Sequence, residues 1–254
     1  MIKIGLLLCS YASENYIDQC LESWLKFDNV VISVTSCPFI NFEEQDNHKN
    51  MEKLYDYQNK GKIDSIYTTY MPIKECEARN YPLQRLISLN CDIIVLVDVD
   101  EIWTVQEIQN LIDYINKTPQ FCWYKVEYKN LIFNKNTYIT GFDPARVFRV
   151  NYNNWNIDYE LYQCIDDNDF NYLSKHGLIR DKWLPHTIID IKICNPLHYS
   201  WLNNDRSRRK IEYQKRRNWN TSFNWNYEKN CIEFNEIYYK DKNKPILHKL
   251  NENK

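Results

Sequence analysis

The stretch Asp92-Ile93-Ile94-Val95-Leu96-Val97-Asp98-Val99-Asp100-Glu101 decides the fold. The unbroken apolar run Ile93 to Val97 predicts a strand buried on both faces, as in a mainly parallel sheet. Asp98 and Asp100 follow at its carboxyl end, where open α/β sheets bind their ligands. Downstream, Thr104-Val105-Gln106-Glu107 has capping-box form. Val105, Ile108, Leu111, Ile112 and Ile115 continue it as one helical stripe, and Pro119 lies just beyond. Upstream, Glu75 to Asn90 reads as a helix, with Pro82 expected to sit in its first turn or to break it. Ile63 to Thr69 and Val30 to Val34 read as strands, with a helix around Asn50 to Tyr57 between them. Ile2 to Cys9 is a further buried strand. Ser13 is positioned to cap the amphipathic helix of Tyr16, Ile17, Cys20, Leu21, Trp24 and Leu25.

This alternation predicts an α/β fold with a mixed, mainly parallel central sheet flanked by helices. From about residue 120 the pattern loosens: Phe121 to Phe133 and Ala145 to Val150 read as strands, and 203–219 as a charged helix. No stretch rich in Gly, Ser or Pro separates two domains. Residues 1–202 are therefore read as one domain, and 203–254 as a basic helical extension packed on it.

Composition excludes several classes. With 254 residues, 44% of them hydrophobic and 26% charged, the chain has the make-up of a folded globular protein. A net charge of -2 gives no global attraction to nucleic acid or membrane. The four glycines, Gly5, Gly61, Gly141 and Gly177, form no G-x-G-x-x-G and no Walker loop, so dinucleotide-binding and P-loop chemistry are not expected. Nine cysteines without a C-x-x-C pair argue against a structural zinc site. The apolar run after Met1 is too short to span a bilayer and precedes no cleavage site, so we expect no transmembrane segment and a cytoplasmic location. The 15% aromatic content suits a protein that stacks rings.

Two carboxylates one residue apart can converge on one hard divalent cation, Mn²⁺ or Mg²⁺, with a phosphate completing its shell. A second D-x-D, Asp167-Asn168-Asp169, follows no apolar strand and reads as a solvated loop. The helix-terminus alternative for Asp98 and Asp100 is a charge pair facing the dipole of the next helix.

The segment Asp92 to Trp103 resembles the buried strand and "D-x-D-E" turn of GT-A glycosyltransferases, particularly family-2-like ones. Ala78-Arg79-Asn80 resembles their "A-R-N" helix start, and Cys20-Leu21-Glu22-Ser23-Trp24 their "C-L-x-S" helix. Ala145-Arg146-Val147-Phe148-Arg149 resembles their "A-R-x-F-R" strand, and His198-Tyr199-Ser200-Trp201 their C-terminal His motif. These stretches occur in family order and span about residues 1–220. The chain departs from that pattern after the second strand, where Val34-Thr35-Ser36-Cys37-Pro38 offers no carboxylate for a nucleotide base.

The resemblance implies a GT-A fold and a metal-dependent, inverting transfer of a sugar from a UDP- or GDP-sugar to an acceptor hydroxyl. It implies Asp98, Asp100 and His198 at the metal, with Tyr11, Arg79, Asp98 and Asp100 binding the donor. Glu160, or else Asp158, would be the general base that deprotonates the acceptor. It implies as acceptor a glycan, a lipid-linked glycan, a protein or modified DNA. The basic run Arg206, Arg208, Arg209, Lys210, Lys215, Arg216 and Arg217 would contact diphosphate, a membrane surface or nucleic acid, or form a solvated helix face. The alternatives are a sugar nucleotidyltransferase and a non-catalytic or nucleic-acid-directed protein on the same scaffold.

Overall fold

The protein is described here from a computed structural model that covers residues 2–40, 45–140, 144–152, 155–156, 186–190, 192–202, 204–216, 223–229, 231–234 and 247–249. In chain order the elements begin with β1 (Ile4–Cys9), α1 (Glu14–Trp24), β2 (Val30–Ser36), α2 (His48–Asn59) and β3 (Ser65–Thr68). Then come α3 (Glu75–Ser88), β4 (Ile93–Asp98), β5 (Glu101–Ile102), α4 (Val105–Lys117), β6 (Trp123–Val126), β7 (Lys129–Ile132), β8 (Thr137–Ile139) and β9 (Ala145–Arg149). The remainder are β10 (Asn151–Tyr152), β11 (Trp155–Asn156), β12 (His186–Ile189), β13 (Leu197–Trp201), α5 (Asn204–Arg216), β14 (Phe223–Asn226), β15 (Cys231–Phe234) and β16 (His248–Lys249).

A seven-stranded sheet runs in the order β12-β6-β9-β4-β1-β2-β3. Strands β4, β1, β2 and β3 are mutually parallel, as is the β12–β6 pair, while β9 runs antiparallel to β4 and β6. The expected mixed, mainly parallel α/β sheet flanked by helices is thus present. Its central strands are apolar on both sides because both faces are covered. Ile4, Leu6 and Leu8 of β1 join Ile93, Val95 and Val97 of β4 in one core cluster with residues of α1, α2 and α4. Leu7, Ile94 and Leu96 face the other way, onto Leu83 and Leu86 of α3. Gly5 sits where α3 comes closest: an added Cβ would lie 2.8 Å from Ile94 Cδ1 and 3.1 Å from Leu86 Cβ.

Two local expectations are corrected. Helix α3 runs through Pro82 rather than starting or ending at it. Burial of Leu83 and Leu86 on the sheet outweighs the one backbone bond that proline removes. Ser13 occupies the N-cap of α1 but its hydroxyl makes no cap bond. It donates instead to the Tyr11 carbonyl, at 2.8 Å. By contrast, the capping box at Thr104 and Glu107 forms as expected, Thr104 Oγ1 accepting from the Glu107 N–H.

A second, five-stranded sheet, β16-β8-β7-β13-β5, lies beyond the carboxyl end of β4. Its strand β13 pairs with β5 antiparallel and with β7 in parallel, which sets His198 opposite Glu101 on one side and Asn130 on the other. The C-terminal extension holds the expected helix, α5, and in addition the hairpin β14–β15. Ile211 of α5 packs there against Phe223, Trp225 and Ile232, with Trp201 alongside. Trp201 and Trp225 therefore anchor this helix. Among the described residues, no helix is long and apolar enough to cross a membrane.

Candidate active site

A cavity of about 450 Å³ opens beyond the carboxyl ends of β1, β2 and β4. Its floor comes from the two stretches that leave β1 and β4, and one wall comes from α5. The loop after β1 is braced by Asn50 of α2, which is fully buried. Asn50 Oδ1 accepts from Ser10 Oγ at 2.7 Å, and its Nδ2 donates to Ser36 Oγ at 3.0 Å. This brace holds Ala12 at a φ of 46, which a non-glycine residue adopts only when its surroundings fix it. Tyr11 lines the cavity, and its hydroxyl donates to the Gln45 carbonyl at 3.1 Å.

Neighbouring acids of the β4 turn have different partners. Asp98 accepts from two arginines: Oδ2 lies 2.8 Å from Arg146 Nη2, and Oδ1 lies 3.4 Å from Arg79 Nη2. Burial acts to raise the Asp98 pKa, but Arg146 and Arg79 outweigh it and hold the carboxyl below its ordinary value. Arg79 is tied also to Glu75, one turn back on α3, at 2.5 Å. Glu101 is completely buried and pairs with Arg146. It also accepts from the Tyr128 hydroxyl at 2.8 Å and from the Asp98 N–H at 3.3 Å. Burial pushes its pKa up to about 8, against the pull of Arg146.

Asp100 turns the other way. Its Oδ2 lies 3.1 Å from Arg206 Nη2 of α5 and 3.6 Å from His198 Nε2. Burial, opposed by Asp100, brings His198 down to about 3, so the imidazole is neutral at pH 7. Its Nδ1 lies 2.6 Å from Asn130 Oδ1. Asn130 Nδ2 donates to the Tyr128 carbonyl, which orients the amide so that Nδ1–H is the donor. The lone pair of Nε2 is thereby turned toward a carboxylate oxygen.

Helix α5 presents Arg206, Lys210, Tyr213 and Gln214 to the cavity on one face. Arg206 also donates to Ser13 Oγ, at 3.3 Å, so the hydroxyl that fails to cap α1 joins the two ends of the site. The Lys210 ammonium sits 4.8 Å from the Trp201 ring centre. Burial, opposed by Asp100, lowers its pKa.

The structure thus brings Tyr11, Arg79, Asp98 and Asp100 to one cavity, while His198 is buried behind Asp100, 3.6 Å from its Oδ2, and does not line the cavity itself. Among the described residues, no three of His, Cys, Asp and Glu converge as a metal cluster, and Asp98 is held by arginines rather than beside His198. Glu160 and Asp158 lie outside the described residues, as does Asp167 to Asp169. Arg206 and Lys210 line the cavity, so these two members of the basic run are not part of a solvated outer face. Sequence reading gave no separate role to Arg146, although the "A-R-x-F-R" stretch contained it. Asn130 carried no signal at all, and only the β7–β13 pairing puts it beside His198.

Fold and site define an α/β protein whose charged cavity lies at the carboxyl edge of its parallel strands. Among solved structures the chain is similar to S. aureus TarS, with a TM-score of 0.48 and 14% identity over 85% of this chain and 39% of that one. TarS 1–349 in complex with UDP-GlcNAc gives 0.43 and 14%, over 65% and 48%. The 4-diphosphocytidyl-2C-methyl-D-erythritol synthase from Anaerococcus prevotii gives 0.44 and 10%, over 74% and 88%. The chain spans less than half the length of these TarS structures. No protein-family model and no curated protein matches the sequence.

Proposed function

We propose that the protein is a glycosyltransferase of GT-A type, which moves a sugar from a nucleoside-diphosphate sugar to an acceptor hydroxyl. One observation carries this reading: the D-x-D turn, with Asp100 buried and Asp98 partly exposed, shares a single cavity with Arg79, Arg206 and Lys210. Such a cavity suits a diphosphate, because cations and a bound metal together balance phosphate charge that carboxylates alone would repel. The ring of Tyr11, on the loop after β1, gives the donor base a surface on which to stack.

The donor set fits a hard divalent cation at Asp100 and His198. The neutral imidazole already gives its N–H to Asn130, and its remaining lone pair faces Asp100 Oδ2 at 3.6 Å. Two such electron-pair donors are held face to face most comfortably by a cation between them. Asp100 and His198 would hold Mn²⁺ or Mg²⁺, which when bound supplies Lewis-acid stabilisation of the departing diphosphate. Arg206 and Lys210 orient the diphosphate from the α5 side. Asp98, through Arg79 and Arg146, fixes the guanidinium groups on the opposite wall. Glu160, with Asp158 as the alternative, is the proposed acceptor base of an inverting transfer, and the acceptor is a glycan, free or lipid-linked, or modified DNA.

The test is a panel of UDP- and GDP-sugars with Mn²⁺, scored by thermal stabilisation and by product release. A cognate donor at a hundred times its dissociation constant should add about 2.7 kcal/mol. Transfer or slow hydrolysis should release nucleoside diphosphate, and Asp100→Asn should lower it about a hundredfold. Release of pyrophosphate would instead assign a nucleotidyltransferase, and a panel in which no donor stabilises the fold would reject the proposal.

A further inference from the structure

Helix α3 separates two cavities. Glu75 and Arg79 face the acidic turn, whereas Glu77, Asn80, Tyr81 and Gln84 line a second cavity of about 340 Å³ with Tyr67 and Ile73. The spacing of those four α3 residues puts them on one helix face. A short parallel bridge, Phe39 to Ile73, stands between the two spaces: Phe39 lines the first and Ile73 the second.

Asn80 is 3% exposed, and neither its Nδ2 nor its Oδ1 has a hydrogen-bond partner. A buried donor and a buried acceptor left unmet are each costly. Both amide atoms are closed off behind the lining, so the polar side chains that meet a ligand in the cavity are those of Glu77, a carboxylate that accepts, and Gln84, an amide that donates and accepts. Hydroxyl groups complement both. Tyr67 and Tyr81 stack at 3.8 Å between ring centres and form an aromatic wall, of which Tyr81 remains 56% exposed. Glu77 and Gln84 add polar groups, and among the described lining residues there is no Lys or Arg to attract phosphate. An aromatic wall beside amide and carboxylate groups suits a pyranose, whose C–H face packs on a ring while its hydroxyls bond at the edge.

We propose that this second cavity is a binding subsite for a neutral saccharide of one or two rings, separate from the D-x-D cavity. The proposal does not rest on the transferase reading, since the lining chemistry alone carries it. Calorimetric titration of the full chain with cellobiose, chitobiose and maltose tests it, with uridine as a competing arm. At least one disaccharide should bind, and Tyr81→Ala, a change at the surface, should weaken it about tenfold. Gln84→Ala should weaken it as well, and Asp100→Asn, in the other cavity, should leave it in place. If no disaccharide binds, if Tyr81→Ala leaves affinity unchanged, or if uridine displaces the sugar, the proposal is overturned.

Discussion

Arg206 Nη2 lies 3.1 Å from Asp100 Oδ2 and so ties the C-terminal helix to the turn at the end of the central strand. The Asp100 side chain is 2% exposed and that of Arg206 27%, so the aspartate depends on this contact more than the arginine does. A cation held between Asp100 and His198 would share the carboxylate with that guanidinium.

Replacing the guanidinium should expose this sharing. Arg206→Met leaves a buried carboxylate short of a cation and should lower stability by about 1–3 kcal/mol. Mn²⁺ should then restore more stability to the variant than it adds to the native chain, as melting curves with and without the metal would reveal. Equal responses of the two proteins to Mn²⁺ would mean that arginine and metal do not share the site.

Glu101 and Asp100 are adjacent but should fail in different ways. Glu101 is wholly buried against Arg146, the Tyr128 hydroxyl and the Asp98 N–H. Glu101→Ala removes one of the two carboxylates on the buried Arg146 guanidinium and should cost about 3–5 kcal/mol. Asp100→Asn keeps its shape and should cost less stability while removing turnover. Denaturant midpoints set beside nucleoside-diphosphate release would separate the two, and a Glu101→Ala chain as stable as the native one would contradict this division.

At Gly5 the limit is steric. Its missing Cβ leaves room for Ile94 Cδ1, which would otherwise be 2.8 Å away. Gly5→Ala should destabilise by about 1–3 kcal/mol through displacement of α3 from the sheet. Gly5→Ala combined with Ile94→Val should recover part of that loss; a denaturation midpoint unchanged by the single substitution would show that the contact is loose.

Three desolvated thiols give a pH dependence. Burial raises Cys9 to about 12, and Cys91 and Cys122 to about 11, from an ordinary 9.0. Below pH 9 these thiols stay protonated in both states and their contribution to stability is constant. Between 9 and 11–12 the unfolded chain ionises first, so stability should fall as pH rises through that window. At about pH 8 the buried Cys91 and Cys122 should resist iodoacetamide in the folded chain and react in guanidinium, as peptide mass spectrometry would report. Rapid labelling of Cys122 in the folded protein would rule out a protonated, enclosed thiol.

The parallel sheet was legible because its signal is local. An apolar run such as Ile93 to Val97 has to be covered on both faces wherever it sits, and helices of matching amphipathic period stood on either side of it in the chain. Asp98 and Asp100 could be found for the same reason, since a residue at the end of a strand is at the edge of the sheet. Pro82 misled because helix rules weigh one lost backbone bond, whereas the sheet contributes the burial of Leu83 and Leu86.

By itself, then, the amino-acid sequence determined the layered α/β core, the acidic turn beyond its central strand and the order of elements around it. Only the tertiary structure decided who faces whom: Asp98 toward Arg79 and Arg146, Asp100 toward His198 and Arg206, Asn130 behind the imidazole. Periodicity tells which face of an element is apolar, but the partner of a buried charge is set by strand register and helix docking, which join residues far apart in the chain.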